Sequence, residues 1–311
     1  MTGFEHAAIA LGGALAFDLA VGEPPNLLHP VVWMGRLQRA LRRRAPRSPG
    51  AAFAYGALMA LSGPLIFGGG AWLLLHALAA WPWAQLAVEI YLLKSAFAIR
   101  ALGAAAARVA RALRDGDVPA ARAALRSLVS RDVSALGEPL LAAAAIESVA
   151  ENTSDSLVAP LVYYLALGVP GALAYRAANT LDALIGYHGE TEWLGKAAAR
   201  LDDALNLIPA RLTALLLVAG AAICRRSPAR ALRTWWRDAA ATESPNAGRP
   251  MAAMAGALGV QLEKVGCYRL GAGGAEPAAG DVERSIAIMA IACALAAALV
   301  ALGAWMKAHG A

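Results

Sequence analysis

Two short segments place carboxylates and amides inside apolar, helix-forming sequence. Residues 147–155 read ESVAENTSD, and residues 200–211 read RLDDALNLIPAR. Glu147, Glu151 and Asp155 follow one another at intervals of four residues, so an α-helix would stack them on one face. Charge is costly in an apolar setting, and acids found there are usually paired, bound to a metal or functional. These segments are therefore the first candidates for chemistry.

Acidic residues are concentrated in one part of an otherwise basic chain. Residues 132–203 hold ten Asp and Glu against three Lys and Arg, whereas the whole chain has a formal net charge of +6. Mg²⁺ prefers carboxylate and water oxygens and in turn bridges phosphate oxygens. The alternative is a set of buried acids neutralised by Arg176, Arg200 and Arg211. We favour metal or substrate contact for this set.

Asp202, Asp203 and Asn206 resemble the acid-rich motifs that hold Mg-diphosphate in membrane prenyl transferases. The pattern is short and recurs by chance, and the first turn of a helix also favours Asp. It keeps a Mg²⁺-dependent transferase of diphosphate substrates open as an alternative function.

Two loops are dense in residues that could contact a ligand. In GEPPNLLHPVVWMGR, residues 22–36, prolines restrict the backbone, and Asn26, His29 and Arg36 could point at a ligand. In ESPNAGRP, residues 243–250, the side chains of Asn246 and Arg249 with nearby backbone could form a cradle for an anion. The alternatives are a rigid turn with a satisfied His and a plain loop. A third polar residue, Lys94, is expected to extend to the membrane interface, with Glu89 as its partner.

The composition indicates an integral membrane protein that must position these residues on helices. The chain is 59% apolar and 16% charged, whereas soluble domains are about 45–50% apolar and about 25% charged. No alternating strand pattern appears. We predict an all-α, polytopic membrane protein, one membrane-embedded domain over 1–311, with about five to six apolar helices, some broken or re-entrant. The apolar stretches lie at about 5–21, 51–80, 84–99, 157–174, 206–224 and 286–304.

Charge sets the predicted orientation. Three segments rich in Arg, 36–47, 100–131 and 225–249, should be cytoplasmic by the positive-inside rule. The N-terminus lacks the basic region of a signal peptide, so 5–21 is interpreted as a first membrane helix. Because the chain is so apolar, its basic charge predicts cytoplasmic loops and no nucleic-acid binding. Cytoplasmic segments are expected at about 22–50, 100–150 and 225–285, in a multi-pass membrane protein.

The middle of the chain has two possible topologies. If 157–174 crosses the membrane, then 176–205 lies outside and the two acidic segments face opposite sides. If 157–174 is broken or re-entrant, as Pro160, Gly168 and Pro170 favour, the acidic segments can share one cytoplasmic site. In that topology 206–224 must also not cross the membrane completely. We favour a shared site. The three cysteines show no CxxC spacing and give neither a disulfide framework nor a zinc signature.

Five strings together resemble the CobD/CbiB family of cobalamin biosynthesis proteins. They are GEPPNLLHPVVWMGRL, ESVAENTSDSLVAPLVYY, YRAANTLDALIGY, AARLDDALNLIPARLTA and ESPNAGRPMAAMAGALGVQLEK, which occur in order over most of residues 15–270. The resemblance implies an adenosylcobinamide-phosphate synthase of the inner membrane. Such an enzyme would join adenosylcobyric acid to (R)-1-amino-2-propanol O-2-phosphate, or a related amino alcohol, with ATP and Mg²⁺.

The candidate residues fit such a reaction, because a carboxylate must be activated before an amine attacks it, and ATP can convert it to an acyl phosphate. Expected catalytic residues are Glu147, Glu151, Asp155 and Asp202. Expected Mg²⁺ ligands are Glu151, Asp155, Asp202, Asp203 and Asn206. Expected substrate contacts are Asn26, His29, Arg36, Asn152, Asn179, Asp182, Arg211, Asn246 and Arg249. The expected partners are the corrinoid, aminopropanol phosphate and membrane lipid, and the sequence leaves an oligomer open.

A second alternative is a transporter or binding protein for corrinoids, since broken apolar segments with buried acids suit transport. No internal inverted symmetry is apparent to support it. The sequence does not assign individual catalytic roles or the ATP site, and it leaves the exact amino alcohol open.

Overall fold

The computed structural model describes residues 3–186 and 191–310 and is helical almost throughout. Residues 187–190, part of the polar turn YHGETE, lie outside the described residues. The helices are α1 (Gly3–Ala20), α2 (Pro30–Arg42), α3 (Pro49–Ala77), α4 (Pro82–Ser95), α5 (Ile99–Arg114), α6 (Val118–Leu125), α7 (Glu138–Thr153), α8 (Ala159–Ile185), α9 (Glu192–Ile223), α10 (Pro228–Asp238), α11 (Gly248–Leu258) and α12 (Ala279–His309).

Two short irregular features accompany the helices. A π-helical turn, Ser154–Val158, joins α7 to α8. Strands β1 (Leu262–Lys264) and β2 (Tyr268–Leu270) form an antiparallel hairpin. The sequence did not predict this hairpin, because strands of three residues are too short to show an alternating pattern.

Proline residues and capping side chains define the beginnings of several helices. Pro occupies the first helical turn of α2, α3, α4 and α10, where its missing N–H leaves no hydrogen bond unmade. Side chains of His29, Asp117 and Ser227 accept backbone N–H groups at the beginnings of α2, α6 and α10. The loop that contains His29 is therefore fixed to the helix that follows it.

Five helical stretches in the described part of the chain are long and apolar enough to cross a membrane. They are Pro49–Ala77, Pro82–Arg114, Glu138–Ile185, Glu192–Ile223 and Ala279–His309. The second stretch contains α4 and α5, and the third contains α7 and α8. The prediction of an all-α, polytopic membrane protein is confirmed.

The chain divides into two compact units, neither of which is continuous in sequence. Unit 1 comprises Met1–Ala98, Ala159–Asn206 and Ala297–Ala311, and unit 2 comprises Ile99–Val158 and Leu207–Ala296. The single domain over 1–311 stays a prediction.

In unit 1, α3 and α8 pack closely and run antiparallel. A Cβ atom added to Gly68 would lie 2.9 Å from both the Ala174 Cβ and the Pro170 carbonyl oxygen. Nearer the beginning of α3, Met59 packs in one cluster with Leu181 and Ile185. Small residues allow such close helix packing in membranes. The end of α8 therefore lies beside the beginning of α3.

The beginning of α9 lies at this same end of α3. A Cβ atom added to Gly56 would lie 1.9 Å from the Leu194 carbonyl oxygen, so only glycine permits the contact. Because α3 directly follows the basic segment 36–47, this end of unit 1 is the one that the charge pattern predicts to be cytoplasmic.

The α8 helix is broken, as its glycine and prolines predict. Gly168 has φ 68° and ψ −162°, far from helical values, and Pro170 follows within the same helix. The break divides α8 near its middle, and the second half carries Asn179 and Asp182.

Unit 2 is built around α7. The run Ala142–Ala145 is buried, and α7 packs against α5, α6, α11 and β1. Small side chains allow α7 to lie inside this unit while its polar residues face the hairpin and the 126–136 loop.

Candidate functional site

In unit 1, a cluster of polar side chains surrounds Asp202. We call Tyr175, Arg176, Asn179, Asp202 and Asn206 the Asp202 cluster. Asn179 donates from Nδ2 to Asp202 Oδ1 at 3.1 Å, and Asn206 donates from Nδ2 to Asp202 Oδ2 at 2.9 Å. The spacing of four residues between Asp202 and Asn206 puts them on one face of α9. The structure therefore brings Asn179, a separate candidate, together with Asp202 and Asn206 of the predicted acid-rich motif.

The remaining members of the Asp202 cluster hold its amides in place. The Tyr175 hydroxyl donates to Asn206 Oδ1 at 2.9 Å, and Arg176 Nη1 donates to Asn179 Oδ1 at 3.3 Å. Tyr163 stacks on Tyr175 with ring centroids 5.1 Å apart. Each amide oxygen thus accepts a hydrogen bond while each amide nitrogen points at the carboxylate.

Two further candidates lie on the same helices. Asp203 is half-buried next to Asp202, and Asp182 lies in the last turn of α8. A Cβ atom added to Gly186 would lie 2.0 Å from Asp182 Oδ1, so glycine at 186 makes room for this carboxylate.

In unit 2, Glu147 lies at the centre of a second polar cluster. Its Oε2 accepts a hydrogen bond from Arg131 Nη2 at 2.9 Å, and its Oε1 is buried with no donor among the described residues within hydrogen-bond distance. The Tyr268 hydroxyl and the charges of Lys264 and Glu151 also act on this carboxylate. We call Arg131, Glu147, Glu151, Lys264 and Tyr268 the Glu147 cluster.

Tyr268 adds a protonated phenol to this cluster. Burial, and then the negative charges of Glu147 and Glu151, raise the pKa of Tyr268 above its ordinary value of 10.0. The phenol therefore keeps its proton at neutral pH, and its hydroxyl donates to Met251 Sδ at 3.8 Å while it acts on the nearby Glu147 carboxylate.

The predicted stack of three acids holds for Glu147 and Glu151, which both lie in α7. Asp155 lies in the π-helical turn, where the wider winding shifts it from an ideal α-helical register. Asn152 spans the junction, because its Nδ2 donates to the Ser148 carbonyl at 3.0 Å and its Oδ1 accepts from the Ser156 hydroxyl at 3.0 Å.

In unit 2, the arginine pair of Arg211 in α9 and Arg249 at the beginning of α11 contacts the turn that precedes α11. Arg211 Nη1 donates to the Leu207 carbonyl at 2.6 Å and to Asn246 Oδ1 at 3.4 Å. Arg249 Nε donates to the Pro245 carbonyl at 3.1 Å. The structure thus brings together the three candidates Arg211, Asn246 and Arg249.

The candidates in the loop at 22–36 differ in their surroundings. Asn26 and Arg36 are exposed. His29 uses both ring nitrogens, because Nδ1 accepts the Val31 N–H at 3.2 Å and Nε2 lies 2.8 Å from Glu23 Oε2. A ligand that contacts a His29 nitrogen would have to displace one of these partners.

Lys94 does not extend to the membrane interface, so this prediction is wrong. Its side chain is fully buried, and its ammonium lies 2.9 Å from both Asp18 Oδ1 and Glu23 Oε1. Glu89 instead pairs with His6. The sequence around Lys94 could not indicate this pairing, because Asp18 lies 76 residues earlier in the chain.

The sequence also missed Arg131, Lys264 and Tyr268. Lys264 and Tyr268 lie on the unpredicted hairpin, and Arg131 follows α6 without any local motif. The hairpin is too short to show a strand pattern in the sequence, whereas the acidic run of α7 was visible by its spacing alone.

The fit of Mg²⁺ depends on how many acids a site supplies. Among residues 3–186 and 191–310, no three His, Cys, Asp or Glu side chains form a metal-binding group. Mg²⁺ usually keeps several waters and binds through one or two carboxylates together with substrate phosphates. The buried Glu147 Oε1 and the nearby Glu151 fit that mode of binding, whereas both Asp202 oxygens already accept amide hydrogen bonds.

A cavity of about 390 Å³ lies elsewhere in unit 1, between α1, α4, α8 and α12. His6, Glu89, Tyr164 and Lys307 contribute its polar wall. None of the residues predicted to be catalytic, to bind metal or to bind substrate lines it.

These features define the class of protein: a polytopic, all-α membrane protein with polar clusters built on its helices. The family model described as CobD/Cbib protein matches residues 11–298. The chain therefore belongs to the CobD/CbiB family of cobalamin biosynthesis proteins.

Curated relatives agree with this assignment. The chain is 46% identical over 266 residues to "Cobalamin biosynthesis protein CobD" of Dehalococcoides mccartyi, covering 83% of this chain and 84% of the relative. It is 45% identical over 287 residues to "Probable cobalamin biosynthesis protein CobD" of Thermococcus kodakarensis, covering 91% of each. It is 37% identical over 300 residues to "Cobalamin biosynthesis protein CbiB" of Salmonella typhimurium, covering 92% and 94%. No solved structure matches the chain.

Proposed function

We propose that this protein is a membrane-bound, ATP-dependent amide ligase of cobalamin biosynthesis. It joins a propionate side chain of adenosylcobyric acid to the amino group of (R)-1-amino-2-propanol O-2-phosphate or a related amino alcohol. The observation that carries the proposal is the family match over residues 11–298, which includes both polar clusters and the arginine pair. The inner membrane is the proposed location, with the clusters open to the cytoplasm, where ATP is available.

The reaction has two chemical steps. A propionate oxygen attacks the γ-phosphorus of ATP, and the bond to the bridging oxygen breaks, which gives an acyl phosphate and ADP. The amine nitrogen then attacks the acyl carbon, the bond from carbon to the phosphate oxygen breaks, and inorganic phosphate leaves. The nitrogen loses a proton during this step, so the site needs both a base and cationic groups for phosphate.

The Glu147 cluster supplies suitable groups for the proton and for phosphate. A carboxylate with one buried oxygen that accepts no hydrogen bond from the described residues can accept a proton from an ammonium or amine that enters beside it. Arg131 and Lys264 provide positive charge within electrostatic range of the same carboxylate. Bound Mg²⁺ would neutralise nucleotide phosphates, and Glu147 and Glu151 are the acids best placed to hold it.

The Asp202 cluster suits recognition of the corrinoid. The corrin ring carries amide side chains, and the half-buried Arg176 and Asn179 are the members of the cluster that a ligand could reach. Such groups exchange hydrogen bonds with ligand amides without changing their own charge. Asp203 and Asp182 extend the polar surface along the same two helices.

The test is a ligase assay on the purified protein in detergent with adenosylcobyric acid, aminopropanol phosphate and Mg-ATP, followed by corrinoid mass. The expected product is heavier than the substrate by the amide-linked aminopropanol phosphate. Glu151→Gln should lower turnover by at least about tenfold, because it removes a charge that no neighbour replaces. Glu138→Gln, an exposed acid at the start of the same helix, is the matched control.

A corrinoid transporter is the alternative that one observation favours, since the broken α8 helix and buried polar groups suit transport. Corrinoid uptake into vesicles without ATP, together with no ligase product, would replace the proposed function. Turnover of an isoprenyl diphosphate would instead support a Mg²⁺-dependent transferase.

A further inference from the structure

The side chains of the arginine pair, Arg211 and Arg249, contact neutral groups in the part of the chain that the structure describes. Arg211 contacts a backbone carbonyl and the Asn246 amide, and Arg249 contacts a backbone carbonyl. Within the described residues, neither guanidinium forms an ion pair with a carboxylate. Both groups are half-buried, so water compensates each charge only in part.

The two guanidinium groups come from different helices, α9 and α11, and both contact the short turn that contains Pro245 and Asn246. Arg211 holds the side chain of Asn246, and the Arg249 N–H donates to the Asn246 carbonyl at 3.0 Å. Asn246 is 4% exposed, and its own N–H is held by the Ser244 hydroxyl at 3.2 Å. Asn246 therefore links the Arg211 side chain to the backbone of Arg249.

The turn requires glycine at its centre. A Cβ atom added to Gly248 would lie 2.3 Å from the Ala239 carbonyl oxygen and 2.6 Å from the Thr242 hydroxyl. This close approach seats the beginning of α11 on the end of α10. The arginine pair thus contacts a packed turn.

Two like charges held side by side repel each other. Burial, and then the charge of Arg211, lower the pKa of Arg249. An anion between the guanidinium groups would relieve the repulsion and replace the missing carboxylate. The charge of the pair matches a dianion better than it matches a single carboxylate.

We propose that Arg211, Asn246 and Arg249, here called the arginine cradle, bind a phosphate monoester dianion. Within the described residues, the two guanidinium groups of the cradle contact an amide and backbone carbonyls. A metal-bound triphosphate would instead need acidic groups to hold its metal. On the proposed function, the monoester is the phosphate of the amino alcohol substrate. The cradle would then fix one end of that substrate and leave its amine free to react.

Phosphate binding tests the cradle without requiring activity. Inorganic phosphate is titrated into the purified full-length protein in detergent by calorimetry. Arg211→Gln and Arg249→Gln should each weaken binding by about 10- to 100-fold, the effect of losing one charge-assisted hydrogen bond. Arg249→Lys should weaken it less, because it keeps the charge without the planar fork.

The control is Arg233→Gln, an exposed arginine of α10 that contacts only the Ala229 carbonyl among the described residues. Its phosphate affinity should equal that of the wild type. Thermal unfolding of each variant shows whether it is folded. Equal phosphate affinity in folded Arg249→Gln and Arg233→Gln proteins, or no saturable binding by the wild type, would overturn the cradle.

Activity then identifies the ligand. The KM for aminopropanol phosphate should rise at least about tenfold in Arg249→Gln while the KM for ATP stays unchanged. A rise in the KM for ATP instead would overturn the monoester assignment. A wild type that binds phosphate but has no ligase activity, with variants that bind phosphate weakly, would support the cradle and refute the proposed function.

Discussion

Asp202 is a buried anion held by two neutral amides. Removing the carboxylate in Asp202→Ala leaves the donors of Asn179 and Asn206 without their partner, at a cost of about 1–3 kcal/mol in the free energy of unfolding. Asp202→Asn should also destabilise, because its NH₂ group would face another amide NH₂. Thermal unfolding in detergent measures both effects.

The matched control is Glu192→Ala in the first turn of the same helix, which should change stability by no more than about 0.5 kcal/mol. If Asp202→Ala were as stable as this control, the hydrogen bonds of the Asp202 cluster would not contribute to the fold.

Lys94 is the fully buried cation of unit 1. Lys94→Ala leaves Asp18 buried without its ammonium partner, and breaking such a pair costs about 3–5 kcal/mol. The double variant Lys94→Met, Asp18→Asn should be less destabilised than the sum of its single variants, since neither charge then remains. Exposed Lys196→Ala is the control. Additive effects of the two substitutions would contradict the pairing.

Glu23 makes the stability of the loop at 22–36 depend on pH. Burial raises the pKa of Glu23, but hydrogen bonds from His29 and Lys94 outweigh burial and hold the pKa below its ordinary value of 4.5. These contacts therefore stabilise the fold fully above pH 4.5, and their contribution is lost as pH falls through the lowered folded-state pKa.

The expected result is that Glu23→Gln unfolds at a lower temperature than the wild type at neutral pH. The difference should shrink as the pH falls below 4.5. Unfolding midpoints measured across this range check it. A difference that is constant with pH would show that the contacts do not depend on the charge of Glu23.

Side-chain types alone predicted part of the candidate site. The acids of α7 and α9 could be selected because charge within apolar sequence is unusual. Their partners could not be selected: Arg131 approaches Glu147 from a loop, and Asn179 reaches Asp202 from another helix. Such pairs depend on tertiary packing, which single-chain spacing does not encode.

At the scale of elements, the break in α8 depends on one glycine. Gly168 has a combination of φ and ψ that residues with a Cβ atom rarely adopt, so Gly168→Ala should cost about 1–3 kcal/mol in the free energy of unfolding. The matched control is Gly70→Ala in α3, where an added Cβ meets no atom within 4 Å and alanine favours the helix. Thermal unfolding compares the two. Equal stability would indicate that α8 can straighten.

The helices themselves were predictable, and the hairpin was not. Apolar stretches at 51–80 and 286–304 correspond to α3 and α12, and the glycine and prolines near 168 marked the break. The hairpin has three residues in each strand and is held by its contacts with α7, α10 and α11. Lys264 and Tyr268 therefore lie in the site only because the hairpin packs against these helices.

At the scale of the whole molecule, the orientation of unit 1 follows from helix order. The beginning of α3 follows the basic segment 36–47, and the end of α8 and the beginning of α9 lie at that same end. The positive-inside rule places basic segments in the cytoplasm. The end of α8 and the beginning of α9 should therefore be cytoplasmic. The shared-site topology requires this location, whereas the alternative topology places 176–205 outside.

Cysteine labelling tests this orientation with a membrane-impermeant maleimide. The exposed Cys267 lies in the segment 225–285, which charge predicts to be cytoplasmic, so it should react in inverted vesicles and not in intact cells. Glu192→Cys in a Cys224→Ser, Cys267→Ser background should react from the same side. Reaction of residue 192 only from outside would put the Asp202 cluster out of reach of cytoplasmic ATP, and a single site that uses both acidic segments would then be untenable.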